Sequence, residues 1–145
     1  MRKFEKVSYC NNGIIPTRND KGSAGYDFYT PTQLVIEPKQ MVKVQTHIKA
    51  DMLEDEVLML YVRSSIGIKK NIMLANTTGV IDSTYYNNPD NEGNIICALY
   101  NYGEETVVIE AGERIVQGVF IKYLTTSDDK PLNEERIGGI GSSGK

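Results

Sequence analysis

Five short stretches of this chain carry residue types that phosphate chemistry needs. The sharpest is Gly79-Val80-Ile81-Asp82, an apolar run that ends in a carboxylate, with Tyr85 three residues on. A carboxylate in that position can orient a water and take its proton; an ordinary aspartate is a weak base, so its main contribution is to place the nucleophile. Arg63-Ser64-Ser65 follows the apolar run Val57 to Val62 and gathers a guanidinium, two hydroxyls and the first amides of a helical turn, a set suited to an oxyanion or a phosphate. Ser23-Ala24-Gly25-Tyr26-Asp27 holds another carboxylate in a small, tight context, and Gly112-Glu113-Arg114-Ile115-Val116-Gln117 leads from a turn into a strand on which the Gln117 amide can point either way. The last stretch, Arg136 followed by Gly139-Ile140-Gly141-Ser142-Ser143-Gly144, can lay backbone amides against a phosphate. Singly, each has an ordinary structural explanation: a turn aspartate, a helix cap beside a surface arginine, a leftover chain end.

Other chemistries are disfavoured by what is scarce. The single histidine, His47, would have to serve any Ser-His-Asp or Cys-His catalysis and most zinc sites, yet it lies in Val42 to Ile48 on the polar face shared by Lys43 and Gln45. Cys10 and Cys97 lack CxxC spacing and read as buried, reduced thiols. There is no Walker loop and no GxGxxG. A net charge of -3, with sixteen basic residues scattered along the chain, gives no basic stripe for a nucleic-acid backbone, so direct nucleic-acid binding is not expected. No apolar run approaches a membrane span and the charged start opens on no signal-like segment, so the expectation is a soluble, cytoplasmic protein.

The elements that must position these residues read as all-β. Runs rich in β-branched and aromatic residues recur at Lys6 to Cys10, Leu34 to Glu37, Met41 to Ile48, Val57 to Val62, Ile95 to Tyr102, Thr106 to Glu110 and Ile115 to Tyr123. Turn signals such as Asn11-Asn12-Gly13, Glu37-Pro38-Lys39 and Glu110-Ala111-Gly112 separate them as in a sandwich or barrel. Arg63 to Lys70 admits one helical turn and no more, since Gly67 interrupts it. At 145 residues the chain is one domain. Its division is a β core over 1–124 and a polar tail over 125–145, where four of the thirteen glycines fall in the last eight residues and flexibility is expected.

In combination the five stretches resemble the five motifs of the trimeric dUTPase family, in order, from about Ser23 to the carboxyl end. Ala24-Gly25-Tyr26-Asp27, Arg63-Ser64-Ser65-Ile66-Gly67 and the full Gly79 to Tyr85 segment carry the likeness most specifically, with Asn76 where the family places an asparagine. The resemblance implies a jelly-roll-like β-clip or distorted β-barrel, a homotrimer, and active sites at subunit interfaces, each closed by the tail of a neighbouring subunit. It implies hydrolysis of dUTP to dUMP and pyrophosphate by water attack at the α-phosphorus, which keeps uracil out of DNA and supplies dUMP for dTMP synthesis.

The same resemblance suggests roles. Asp82 activates the water, and Tyr85 packs under the deoxyribose and leaves no room for a 2′-hydroxyl. Asn76, Gly79, Val80 and Ile81 meet the uracil edge through main-chain groups; a cytosine edge would face donor with donor, an unpaired contact costing roughly 1–3 kcal/mol. Ser64, Ser65, Gln117 and the tail residues Gly141, Ser142 and Ser143 hold phosphates, while Arg63 and Arg136 meet charge on the leaving pyrophosphate. Mg²⁺ bridges the phosphates with Asp27 as an outer-shell anchor through water. Ile140 stands where the family usually has an aromatic over the base, so base capping should be weaker. The stretch Tyr86 to Glu92 reads as a surface loop insertion, cheap in free energy. Two alternatives stay open: a dCTP deaminase-like enzyme, against which stands Ser83-Thr84 in place of a Pro-Gly, and a nucleotide-gated regulatory dUTPase with a protein partner.

Overall fold

The computed structural model describes residues 1–133 and 138–140. Eleven strands are formed among them: β1 (Lys3–Lys6), β2 (Tyr26–Tyr29), β3 (Leu34–Ile36), β4 (Met41–Gln45), β5 (Ile48–Asp51), β6 (Glu56–Val62), β7 (Ile72–Leu74), β8 (Gly79–Asp82), β9 (Ile96–Asn101), β10 (Val107–Ile109) and β11 (Arg114–Lys122). They make four small antiparallel sheets, ordered β1-β5, β10-β3, β2-β11-β6-β8 and β4-β9-β7. The all-β expectation holds. Among the described residues no helix is long and apolar enough to cross a membrane.

The strands form where alternation buries every second side chain. On β9 the buried side chains are Cys97, Leu99 and Asn101, whereas on β6 the successive residues Val57 and Leu58 are both buried, so both faces of that strand are covered there while β11 and β8 pair with its two edges. Phe28, Ile36, Leu58, Leu60, Ile72, Leu99, Ile109, Ile115 and Val116 are among the most deeply buried members of one continuous core. Truncating any such leucine to alanine costs about 2–5 kcal/mol. Asn101, the polar member of β9, is fully buried, and its Nδ2 donates to the carbonyls of Ile36 (2.9 Å) and Glu105 (2.8 Å), tying the sheets together.

Several sequence readings shift. The run expected at Lys6 to Cys10 is loop beyond Lys6, and the first strand lies earlier, at Lys3–Lys6. Met41 to Ile48 is not one strand: it breaks at Thr46 and His47, where His47 turns left-handed at φ 56° and Nδ1 meets Asn12 Oδ1 at 2.5 Å. His47 therefore belongs to a strand-to-strand turn, not to a strand face. Both cysteines are free, Cys97 buried as expected but Cys10 only partly so. The helical turn appears at Ser65–Lys69 as a single π turn.

Strand register fixes what stands near what. On β11, Gln117 is opposite Asp27 of β2 on one side and Tyr61 of β6 on the other. On β8, Asp82 is opposite Val57 and Gly79 opposite Leu60 of β6.

Candidate active site

The predicted residues fall into two groups. In the first, β7 and β8 diverge after Leu74, β7 joining the β4-β9 sheet and β8 the β6 edge, and the space between them is a pocket of about 530 Å³. The turn that opens it is closed by the Thr77 N–H on the Leu74 carbonyl (2.9 Å), with Thr77 left-handed at φ 63°, and the Ala75 N–H is held by the Ala98 carbonyl of β9 (2.8 Å). Asn76, Gly79, Val80, Ile81, Asp82, Tyr85 and Ile140 all line this pocket. Gly79 is required by close approach, since a Cβ there would sit 2.9 Å from Leu60 Cβ. Val80 is 58 % exposed, so an apolar side chain on β8 faces the open space. Asp82 ends the strand, exposed at the pocket wall, and a short 3-10 turn, Ser83–Tyr85, then returns the chain inward.

Tyr85 is buried and rigidly held. Its hydroxyl donates to the Asn94 carbonyl (2.7 Å) and accepts from Asn91 Nδ2 (2.8 Å), and its own carbonyl accepts from Asn88 Nδ2 (2.8 Å). A ring clamped at both ends offers a flat, immobile wall. Asn88 and Asn91 come from the stretch read in the sequence as a cheap surface insertion, which proves to be ordered: the Asn87 N–H bonds the Glu92 carbonyl (2.9 Å), and Nζ of the buried Lys49 reaches Asn87 Oδ1 (2.6 Å) and Glu92 Oε2 (2.7 Å). No sequence signal announces this clamp, because its partners are loop amides.

Also unforeseen are the pocket's other lining residues, Lys43, Leu60, Leu74, Ile96, Cys97 and Ala98, which β4, β6, β7 and β9 bring in by pairing. Burial pushes the Cys97 thiol up to about 12, so the pocket floor carries an inert thiol.

The second group gathers at the far end of β6. Asp27 is buried, and its two carboxylate oxygens face Arg63 Nε (3.3 Å) and an Arg114 guanidinium nitrogen (3.4 Å). Arg63 lies half-buried just past β6, its N–H on the Ile115 carbonyl (3.2 Å) and its carbonyl taking the N–H groups of Ile66 (3.0 Å) and Gly67 (2.9 Å). Ser64 is exposed and makes no capping bond, so the hydroxyl read as a cap stays available to a ligand, and Ser65 Oγ takes a long bond from Arg63 (3.4 Å). Gln117 is half-buried beside Asp27; Gly25 leaves room for it, since a Cβ there would meet Gln117 Oε1 at 2.8 Å. Arg114, a residue without a role in the motif reading, shares the Asp27 carboxylate.

Arg136, Gly141, Ser142 and Ser143 lie outside the described residues. Ile140 is described and stands 69 % exposed at the pocket of its own chain, whereas the resemblance implies a neighbour's.

Residues 11–144 match the family described as dUTPase. The chain is 47% identical to the deoxyuridine 5'-triphosphate nucleotidohydrolase of Lactococcus lactis subsp. lactis, over 99% of this chain and 98% of that one, and 33% identical to the Wolinella succinogenes protein of the same name, over 99% and 95%. The fold superposes on the crystal structure of dUTPase from Streptococcus mutans with a TM-score of 0.80 and 43% identity, covering 86% of this chain and 98% of that one.

Proposed function

The chain belongs to the dUTPase family and hydrolyses dUTP, and from that premise we propose how its residues divide the work. The observation that carries the reading is the placement of Asp82 at the end of the strand whose preceding residues, Gly79 to Ile81, wall the pocket. Uracil enters between the Asn76 to Ile81 segment and β9, its edge met by main-chain groups. Methyl-bearing thymine is refused by shape, and cytosine by mismatched donors. The sugar rests on the clamped Tyr85 ring, which denies space to a 2′-hydroxyl. The α-phosphorus then lies at the pocket mouth, where Asp82 holds a water in line with the leaving pyrophosphate and takes its proton.

Phosphate binding falls to Arg63, Ser64, Ser65 and Gln117, with Arg136, Gly141, Ser142 and Ser143 from the tail. Arg63 cannot meet the α-phosphorus beside the same chain's Asp82. Arg63 is six residues along β6 from Val57, the partner of Asp82, roughly 20 Å at about 3.3 Å per residue. The α- and γ-phosphorus atoms of a triphosphate are only two bridging oxygens apart. We therefore read the protein as a homotrimer in which one copy supplies Asp82 and another supplies Arg63.

Mg²⁺ fits as an ion carried by the substrate. Among the described residues no group of three His, Cys, Asp or Glu could hold a metal. Asp27, engaged by two guanidiniums, retains lone pairs for a bridging water and no open direct site. When bound to the triphosphate, the ion would draw charge from the leaving pyrophosphate.

The test is pyrophosphate release with dUTP, dCTP and UTP as separate substrates. Release from dUTP alone is the expected result, and deamination of dCTP would overturn the reading.

A further inference from the structure

Among the described residues that line the pocket, Lys43 is the one cation. Along β4 the inward positions are Val42 and Val44, while Met41, Lys43 and Gln45 take the exposed outer face. Lys43 pairs with Ala98 of β9, whose carbonyl accepts the Ala75 N–H at 2.8 Å. Ala75 follows Leu74, the partner of Leu99, and so stands across from Ala98. Residues opposite one another on antiparallel strands share a face, so Lys43, Ala98 and Ala75 make one outward row across the sheet, with only methyl groups beyond the lysine. The next polar group along β4 on that face, Gln45, is engaged, its Oε1 accepting from Asn94 Nδ2 (3.0 Å). Among the described residues Lys43 makes no ion pair, so its charge is uncommitted in the unliganded pocket.

We propose that Lys43 is a specificity-determining residue, its ammonium donating to the base carbonyl that stands where cytosine carries an amino group. This rests on the reading that the pocket takes uracil between the Asn76 to Ile81 segment and β9. Reach is the first argument. Neighbouring strands lie about 4.8 Å apart, a distance the four-carbon lysine stem covers, so Nζ laid across the Ala98 methyl ends over the gap between β9 and the Ala75-Asn76 turn. Chemistry is the second. An ammonium offers three donors and no acceptor: it makes a charge-assisted bond to a uracil carbonyl but meets the amino group of cytosine donor against donor. A carbonyl oxygen has two lone pairs, so this bond adds to a main-chain donor without displacing it. Position is the third. Asp82, where the attack on phosphorus is placed, lies three residues beyond Gly79 on β8, roughly 10 Å at about 3.3 Å per residue, which leaves Lys43 at the base end of the pocket.

The test compares dUTP with dCTP in three full-length proteins: wild type, Lys43→Met, which keeps an unbranched stem and loses the donor, and Lys43→Arg, which keeps a cationic donor. In Lys43→Met, kcat/KM for dUTP should fall about tenfold or more while kcat/KM for dCTP holds or rises, so that the preference for dUTP over dCTP drops by at least that factor. Lys43→Arg should keep the preference to within about threefold. Lys43 is exposed on an edge strand, so the urea midpoints of both variants should match wild type. A lowered midpoint in Lys43→Met with an unchanged ratio of dUTP to dCTP turnover would mark a structural lysine and overturn the proposal.

Competitive inhibition by dUMP and dCMP carries the same comparison into binding, since the two share sugar and phosphate and differ only in the base. The inhibition constant for dUMP should rise about tenfold in Lys43→Met, and that for dCMP should stay within about twofold. Equal losses for both nucleotides would mean that the ammonium serves the phosphate, and no loss for either that it serves neither; each result overturns the proposal. If the wild-type protein itself showed no preference for dUTP over dCTP, the uracil reading of the pocket would fall and the role of Lys43 with it. A wild-type preference that survives intact in Lys43→Met removes only the role of Lys43.

Discussion

Asp82 and Arg63 sit at opposite ends of β6: Asp82 pairs across from Val57, and Arg63 follows Val62 where the strand gives way to the π turn. The strand between them is among the most constrained in the molecule, hydrogen-bonded on both edges and buried at Leu58 and Leu60. No side-chain rotation can bring the two groups together. They act on one substrate only if different copies of the chain contribute them.

That separation predicts complementation. Asp82→Asn and Arg63→Ala should each be nearly inactive, yet when the two are denatured together and refolded as an equal mixture, activity should return. Random trimers whose sites draw the two residues from different copies would recover roughly a quarter of the wild-type rate. No recovery above the sum of the separate variants would show that each chain builds its site alone.

For Asp82→Asn by itself, kcat should fall by about 10²–10⁴ while dUTP still binds, because the amide keeps the shape and loses the base. Single-turnover pyrophosphate release, with equilibrium binding of a non-hydrolysable dUTP analogue alongside, checks both halves. Turnover close to wild type would rule out the assignment.

Tyr85→Phe keeps the ring but deletes the hydroxyl that Asn94 and Asn91 share. The orphaned groups should cost about 1–3 kcal/mol of stability, read as a lowered midpoint in urea. Preference for dUTP over UTP should survive, since the proposed exclusion of the 2′-hydroxyl uses the ring and not the hydroxyl.

Glu92 sets an acid limb. Bonds from Lys49 Nζ and from Ser8 hold its carboxyl down at about 2, against an ordinary value of 4.5. A depressed carboxyl contributes stability that is fully present above 4.5 and is lost as pH falls towards 2. Glu92→Gln should therefore be less stable than wild type at neutral pH, with the gap closing over that window. Denaturation midpoints followed from pH 7 to pH 2 test it, and a gap that widens on acidification would contradict the network.

What the sequence by itself determined was local. Enrichment in β-branched and aromatic residues between turn signals marked strands such as Val57 to Val62 and Ile115 to Tyr123, because such enrichment is a property of neighbouring residues. Motif order identified the five chemical stretches, and Gly79 to Asp82 together with Tyr85 proved to line one pocket. The short strands β5, β7 and β8 were harder to read, since three or four residues carry too little periodicity. His47 was misplaced because a left-handed turn of one residue leaves the alternation on either side intact.

What only the tertiary structure decided was distance. Register put Gln117 beside Asp27 and set Asp82 and Arg63 a full strand apart. Long-range packing made an apparently idle loop into the clamp on Tyr85 and the acceptor for Gly139. Those relationships depend on which strands pair across more than forty residues of chain, as Asp90 and Gly139 are separated by 49. Hydrophobic pattern says that a residue is buried or exposed; only the folded arrangement says against what.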